Sequence, residues 1–427
     1  MPLDTTDTPV HDALIIGAGF TGMYQLHCLR ERLGMNALVL EAGDGVGGTW
    51  YWNRYPGARC DSESHAYCYS FSPEIWKEWT WSERYPGHAE IRRYMNFVAD
   101  KLDLKRDIRF NTRVASCTFD EARNLWRVKT EKGEVFSGRY LITGVGCLST
   151  ANIPKIPGLE GFEGDWYHTG TWPHEGVDFT GKKVGQIGTG STGIQAVPVI
   201  ASEAKHLTVF QRTPNYSVPA HNKPLTEDFK AWVKEHRDDV RKIMTTNQNG
   251  HPFTIDDRSV HDVSDEELNV ILEKAWAVGG LQFRANFRDV LTDDEANARL
   301  ASFVKEKIRG IVQDPDKSEK LSNIDHPYAA KRPPIDSGYF EAFNRDNVEL
   351  IDVRSDPIEC ITQKGIRLKS GAEFELDIIV FATGFDAMTG PLLKLNITGV
   401  GGTTLAQEWA AGPKTNLGLQ MAGFPNL

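Results

Sequence analysis

Two glycine triplets are the residues whose types and spacing most directly imply chemistry. In "DALIIGAGFTGMYQLHCLRERLG" four apolar residues, Ala13 to Ile16, run into Gly17, Gly19 and Gly22, with Phe20 opening the periodic segment that follows. In "KKVGQIGTGSTGIQAV" the same order recurs as Gly188, Thr189, Gly190, Ser191 and Gly193. In each, the first glycine permits a tight turn, the second lets backbone approach a pyrophosphate, and the third lets helix and strand pack closely. The phosphates would sit at the helix N-terminus, where free N–H groups and the dipole favour negative charge. The implied chemistry is redox on bound dinucleotides.

The strands that follow separate the two sites. "NALVLEAG" ends on Glu41, 19 residues after Gly22, where a carboxylate accepts hydrogen bonds from ribose hydroxyls. "KHLTVF" is followed instead by Gln211, Arg212 and Thr213. An acid would repel a 2′-phosphate, whereas a guanidinium forks onto one. An acid at one site and an arginine at the other imply two cofactors, FAD in the first and NADPH/NADP+ in the second. Two more strands, "RYLITGVG" and "ELDIIVFATGFD", close on Thr143–Gly144 and Thr383–Gly384, allowing chain crossovers beside a dinucleotide.

These elements must be positioned by an α/β fold: two Rossmann-like dinucleotide-binding domains with a helical insertion. The motifs place an FAD-binding domain at residues 1–145 and 381–427, an NADP-binding domain at 150–222 and 329–380, and the insert at 223–328. Within the insert, "TEDFKAWVKEHRDDVRKIM", "SDEELNVILEKAWAV" and "DDEANARLASFVKEKIRGIV" are charged, glycine-poor and periodic, hence helices. Ser264 and Thr292, hydroxyls followed by acids, read as their caps. The insert carries no motif of its own and reads as a cover with solvated charged faces.

At 427 residues the chain exceeds a single core, so two or three domains are expected. It has no apolar run of about 18 residues, so no membrane-spanning helix is expected, and its N-terminus lacks the regions of a signal peptide. A net charge of −10 gives no reason to expect nucleic acid. Six scattered cysteines without CxxC spacing read as free thiols in a reducing compartment, which predicts a cytoplasmic protein. They also lack the redox pair that a pyridine nucleotide–disulfide reductase needs. No obligate protein partner is evident.

One stretch fits none of these elements. "GGTWYWNRYPGARCD", Gly47 to Asp61, crowds Trp50, Tyr51, Trp52 and Tyr55 between glycines and ends on an acid; it reads as a loop. Together with "FEGDWYHTGTWP" (Phe162 to Pro173), "AKRPPIDSGYFEAFNRDNV" and "ATGFDAMTG", it resembles type I Baeyer–Villiger monooxygenases. The second of these segments matches every fixed position of that family's FxGxxxHxxxWP fingerprint and lies, as in the family, between the two glycine motifs. The resemblance runs from Asp12 nearly to the end, and the combination of motifs is highly specific.

The resemblance implies a reaction in which NADPH reduces FAD and the reduced flavin takes up O2 as a C4a-peroxide. The peroxide attacks a small-molecule ketone, and a Criegee intermediate rearranges to an ester or lactone. It also implies roles. Arg332 matches the catalytic arginine, whose permanent charge serves an anion that must not be protonated. Asp61 matches the carboxylate that pairs with it and is expected to stay ionised. Thr49, Trp50, Tyr51, Trp52, Asp61, Tyr67 and Val114 carry over as FAD-side positions beside the first glycine motif and Glu41. Lys331, Arg332, Arg212 and Thr213 carry over as NADP contacts. His168, the fingerprint histidine, is read as structural, because this reaction needs no histidine base. Trp172 and Pro173 argue against the related N- and S-oxidising flavin-containing monooxygenases, which lack that dipeptide.

Family members continue past the position of Leu427. The expectation from sequence is therefore that FAD binds this chain weakly or not at all, which stoichiometric FAD in the purified protein would refute. A nucleotide-binding form without turnover stands as an alternative beside the N- and S-oxidising one.

Overall fold

Residues 9–427 are described by a computed structural model. Strand β1 (Val10–Ile16) is exposed at its start and fully buried from Ala13 to Ile16, so it belongs at the centre of a sheet. It pairs in parallel with β2 (Ala37–Leu40) on one side and β6 (Val135–Thr143) on the other. Beyond β2 lies β3 (Ile108–Arg109), and beyond β6 come β5 (Leu125–Thr130) and β4 (Val114–Asp120) in an antiparallel meander. The short strand Ile397–Thr398 completes a seven-stranded sheet. Helix α1 (Phe20–His27) makes the crossover from β1 to β2, burying Gly22, Met23 and Leu26. This sheet belongs to a first compact unit of residues 9–53, 89–152 and 385–427.

The second unit comprises residues 54–88 and 153–384. Its five-stranded sheet is all parallel, with β7 (Asp165–His168), β8 (Lys183–Ile187), β9 (His206–Gln211), β12 (Val348–Asp352) and β16 (Ile378–Phe381) in the order β12-β9-β8-β16-β7. The four residues of β16 are all buried, as a strand covered on both faces requires. Between these lie the parallel pair β10 (Val218–Pro219) and β11 (Ile335–Asp336) and the antiparallel sheet of β13 (Ile358–Thr362), β14 (Gly365–Leu368) and β15 (Glu373–Glu375).

The two units repeat one turn design. After β1, Gly17 turns at φ +97°, and a Cβ there would come 2.7 Å from the Gly144 carbonyl at the end of β6. After β8, Gly188 turns at φ +107°, and a Cβ there would come 2.5 Å from the Ala382 carbonyl at the end of β16. In both, the backbone of a neighbouring strand end occupies the space a side chain would need.

The helices expected at 223–328 are present, with two differences. "TEDFKAWVKEHRDDVRKIM" forms two helices, Glu227–Glu235 and Arg237–Thr246, broken at His236, whose ψ of 27° leaves the helical region. The helix Asp265–Val278 is capped by Ser264 as read from sequence. The helix Asp294–Ile311 is capped by Asp293, whose carboxylate accepts from Ala296 N, and not by Thr292, whose hydroxyl donates to the Asp289 carbonyl. The stretch read as a loop contains one helical turn, Thr49–Trp52, entered from Gly48 at φ +53°. A single turn is too short to show apolar periodicity.

Candidate active site

The first glycine motif builds a tight strand-turn-helix in which Gly22 is irreplaceable. A Cβ on Gly22 would lie 1.8 Å from the Gly17 carbonyl, so only glycine closes helix α1 onto its turn. Gly19 faces the backbone of Gly48, 3.4 Å from where its Cβ would be. Glu41, buried at the end of β2, accepts from Ala18 N at 2.6 Å and Gly43 N at 2.8 Å. Its carboxylate therefore braces the turn as well as marking it. Burial pushes its pKa up, against those backbone donors, which pull it down.

The aromatics of the 47–61 stretch in this unit have defined seats. The Tyr51 ring fills the bend at Gly43 and Gly45, and its hydroxyl donates to Asp44 at 2.7 Å. The Tyr51 and Trp52 rings meet edge to face at 4.8 Å, and Arg113 lies over the Trp52 ring at 5.5 Å. Trp50 is buried, Thr49 opens the turn, and Val114, also buried, begins β4.

In the second unit, Gly193 repeats the role of Gly22, since a Cβ would come 2.3 Å from the Gly188 carbonyl. Gly190, read from sequence as the point of close backbone approach, has open space where its side chain would be. Ser191 begins helix α5 (Ser191–Glu203). The Thr189 hydroxyl donates to the Thr213 carbonyl at 3.1 Å, tying the glycine turn to the end of β9, where Arg212 is exposed. His168 ends β7 almost wholly buried, and its Nδ1 accepts from Gly170 N at 3.0 Å. That is a turn-bracing role.

A charged pair stands in the same unit. Arg332 Nη2 lies 3.0 Å from Asp61 Oδ2, with the arginine side chain 62% exposed and the aspartate 5%. Lys331 beside it is exposed, and Tyr67 is half-buried near the end of the segment that carries Asp61. Two side chains the sequence did not single out complete the arrangement. Gln195 Nε2 donates to Asp61 Oδ1 at 3.2 Å, and Asn215 Nδ2 donates to the Arg332 carbonyl at 3.1 Å. Just past Arg332, buried Asp336 accepts from Ser217 Oγ at 2.8 Å and from Gly338 and Tyr339 N–H groups. So the guanidinium, its backbone and the following loop are each held separately.

Burial pushes Asp61 up to about 6, against the pull of Arg332 and Gln195. The carboxylate expected to stay ionised is thus opposed by burial and favoured by the arginine and the glutamine, and its protonated share grows as pH falls through about 6. A cleft beside the pair is lined by Asp61, Tyr85, His251, Phe253 and Leu281 among others.

Comparison with known proteins places this geometry. Residues 11–219 match the family model described as flavin-binding monooxygenase-like. A Baeyer–Villiger monooxygenase of Pseudooceanicola batsensis is 45% identical over 418 residues, 97% of this chain and 76% of that protein. The chain belongs to the Baeyer–Villiger monooxygenase family. Among solved structures, an oxidized steroid monooxygenase bound to NADP is 50% identical with a TM-score of 0.94, covering 98% of this chain and 80% of the other. OTEMO in complex with FAD and NADP is 44% identical with a TM-score of 0.94, over 98% and 80%.

The residues of this Baeyer–Villiger monooxygenase fit both cofactors, since each strand-turn-helix is closed by glycines that no side chain could replace, Gly17 and Gly22 in one and Gly188 and Gly193 in the other. Among the described residues no helix is long and apolar enough to cross a membrane, and no cluster of His, Cys, Asp or Glu could hold a metal ion.

The Asp61 value gives a pH prediction with two opposite signs. Its folded value lies above the ordinary 3.8, so protonated Asp61 favours the fold; that contribution is complete below about pH 3.8 and lost as pH rises through about 6. The ion pair with Arg332 forms over the same rise. Oxygenation by this monooxygenase should therefore fall on acidification with a midpoint near pH 6, while its stability does not fall with it. Buried Asp336 is also pushed up to about 6. Rate profiles of wild type and Asp61→Asn decide which acid is responsible, and a limb surviving intact in the variant removes Asp61 from the account.

Proposed function

We propose that this chain is an NADPH- and FAD-dependent monooxygenase that converts a small ketone, O2, NADPH and a proton into an ester or lactone, NADP+ and water. The observation that carries the reading is the buried Asp61 carboxylate 3.0 Å from the Arg332 guanidinium. The unit of residues 9–53, 89–152 and 385–427 is proposed to hold FAD through Gly17, Gly19, Gly22, Phe20 and Glu41. The unit of residues 54–88 and 153–384 is proposed to hold NADP(H) through Gly188 to Gly193, Arg212, Thr213 and Lys331, with residues 223–328 as its helical cover.

When bound, the two cofactors supply the hydride and the activated oxygen; the protein supplies orientation, water exclusion and fixed charge. Arg332 stabilises negative charge on the reacting oxygens without giving up a proton, which a lysine or histidine could donate. Asp61 holds that charge in place. The pair adds little to stability, because its cation faces water, so its value lies in placement. Six free cysteines support a reducing, cytoplasmic setting.

The test is anaerobic NADPH addition while flavin absorbance is followed, then air and a panel of ketones. Bleaching followed by ester supports the proposal. Faster NADPH consumption with thioethers than with ketones, and no ester, would replace it by N- or S-oxidation. Arg212→Ala should lower the preference for NADPH over NADH by about 10- to 100-fold, the size of one hydrogen bond between charged groups. An unchanged ratio of the two kcat/KM values would take Arg212 out of the coenzyme site.

A further inference from the structure

Gln195 is an amide in a helix whose surrounding residues, Ile194, Ala196 and Val197, are apolar and buried, and all four of its hydrogen bonds run to one segment. Its Oε1 accepts from the Tyr55 hydroxyl at 2.7 Å and from Arg59 N at 3.4 Å. Its Nε2 donates to the Arg59 carbonyl at 3.1 Å and to Asp61 Oδ1 at 3.2 Å. Only this amide orientation works, because Arg59 N must donate while the Arg59 carbonyl and the carboxylate must accept. Gly57, at φ +77°, brings the segment so close that a Cβ there would lie 2.2 Å from the Gln195 carbonyl. The segment from Tyr55 to Asp61 is thus laid along α5 and fastened at Gln195.

Helix α5 begins at the second glycine motif, and Gln195 sits one turn further on, at the fifth residue of the helix. We propose that Gln195 is a positioning residue that fastens Asp61, and through Asp61 the Arg332 guanidinium, to the same helix whose first turn receives the coenzyme phosphates. This rests on the monooxygenase reading given above. The chemistry fits, since an amide can donate to a carboxylate without ever competing for its proton, whereas an acid or base at this place would titrate with it. The groups facing Asp61 are Arg332 from the loop before β11, Gln195 from α5, and Tyr55 and Cys60 from its own segment. Glu63, Tyr85 and His251 line the cleft beside it.

The test reads the aspartate directly and needs neither flavin nor turnover. The carboxylic-acid infrared band of Asp61 is identified as the band lost in Asp61→Asn and is titrated in wild type and in Gln195→Met, which keeps the length and removes the donor. Loss of one hydrogen bond to a charged acceptor should raise the midpoint by about one pH unit. Gln195→Glu, which can accept from Tyr55 but places a second carboxylate beside Asp61, should raise it at least as far and serves if the methionine variant does not fold. An unmoved midpoint in either folded variant overturns the proposal. A wild type that makes no ester would sink the functional reading and leave this titration as it stands, so the two failures are distinguishable.

Discussion

Arg332→Ala is expected to leave flavin bleaching by NADPH measurable and to cut ester formation by about a hundredfold or more. That is the scale seen when one preorganised charge-stabilising group is removed from a site that develops an anion. The reason lies in how little else can do the work. Among the groups around Asp61, Arg332 is the cation that reaches its carboxylate, and its side chain is 62% exposed, so it is held by Asp61 and by Asn215 on its backbone, not by packing. Losing it also strands a buried carboxylate, which then takes up a proton more readily, because the arginine is what pulls its pKa down. Arg332→Lys should recover little, since a lysine is a point charge on a flexible stem and can be deprotonated. Product yield per NADPH oxidised is the measurement. Ester yields within threefold of wild type in either variant would mean that another group stabilises the charge.

Gly57→Ala is expected to be the most damaging single-methyl change in the segment that carries Asp61. A side chain at φ +77° costs about 1–2 kcal/mol by itself. The added Cβ would also lie 2.2 Å from the Gln195 carbonyl, inside any real contact, so segment or helix must shift. The control is Gly176→Ala, where φ is +87° and nothing stands within 4 Å, so strain acts without a clash. Thermal melts of both should show the Gly57 variant losing clearly more, and its ester yield should fall while Gly176→Ala stays near wild type. Equal melting shifts would show that the close approach to helix α5 is not structural.

The glycine turns were legible because their constraint is local: strand, glycine spacing and helix lie within one short stretch, and the backbone geometry admits no other residue at Gly22 or Gly193. The pairing of Arg332 with Asp61 was legible only through family resemblance, since 271 residues separate them in sequence and neither sits in a periodic element. Gln195 escaped because a polar residue in an apolar helix carries no sign of what it holds until the segment from Tyr55 to Asp61 is laid beside it. The signal was present in one form, a glutamine flanked by Ile194 and Ala196 where a packed helix would take another apolar residue. The cap at Asp293 was misplaced by one residue for a simpler reason. Thr292 and Asp293 can both accept from a helix N-terminus, and the choice is made by where the preceding chain arrives.

The bond from Asn215 to the Arg332 carbonyl has a consequence for where such a protein can be made. Asn215, Tyr216 and Ser217 spell an acceptor sequence for N-linked sugar. The nitrogen that a glycan would take is Nδ2, the atom already donating 3.1 Å to the backbone of Arg332. Ser217, the residue that completes the acceptor, is buried with its hydroxyl given to Asp336. A folded chain therefore engages one end of the signal and buries the other, and a chain glycosylated before folding would carry a bulky sugar against the loop that must present the arginine.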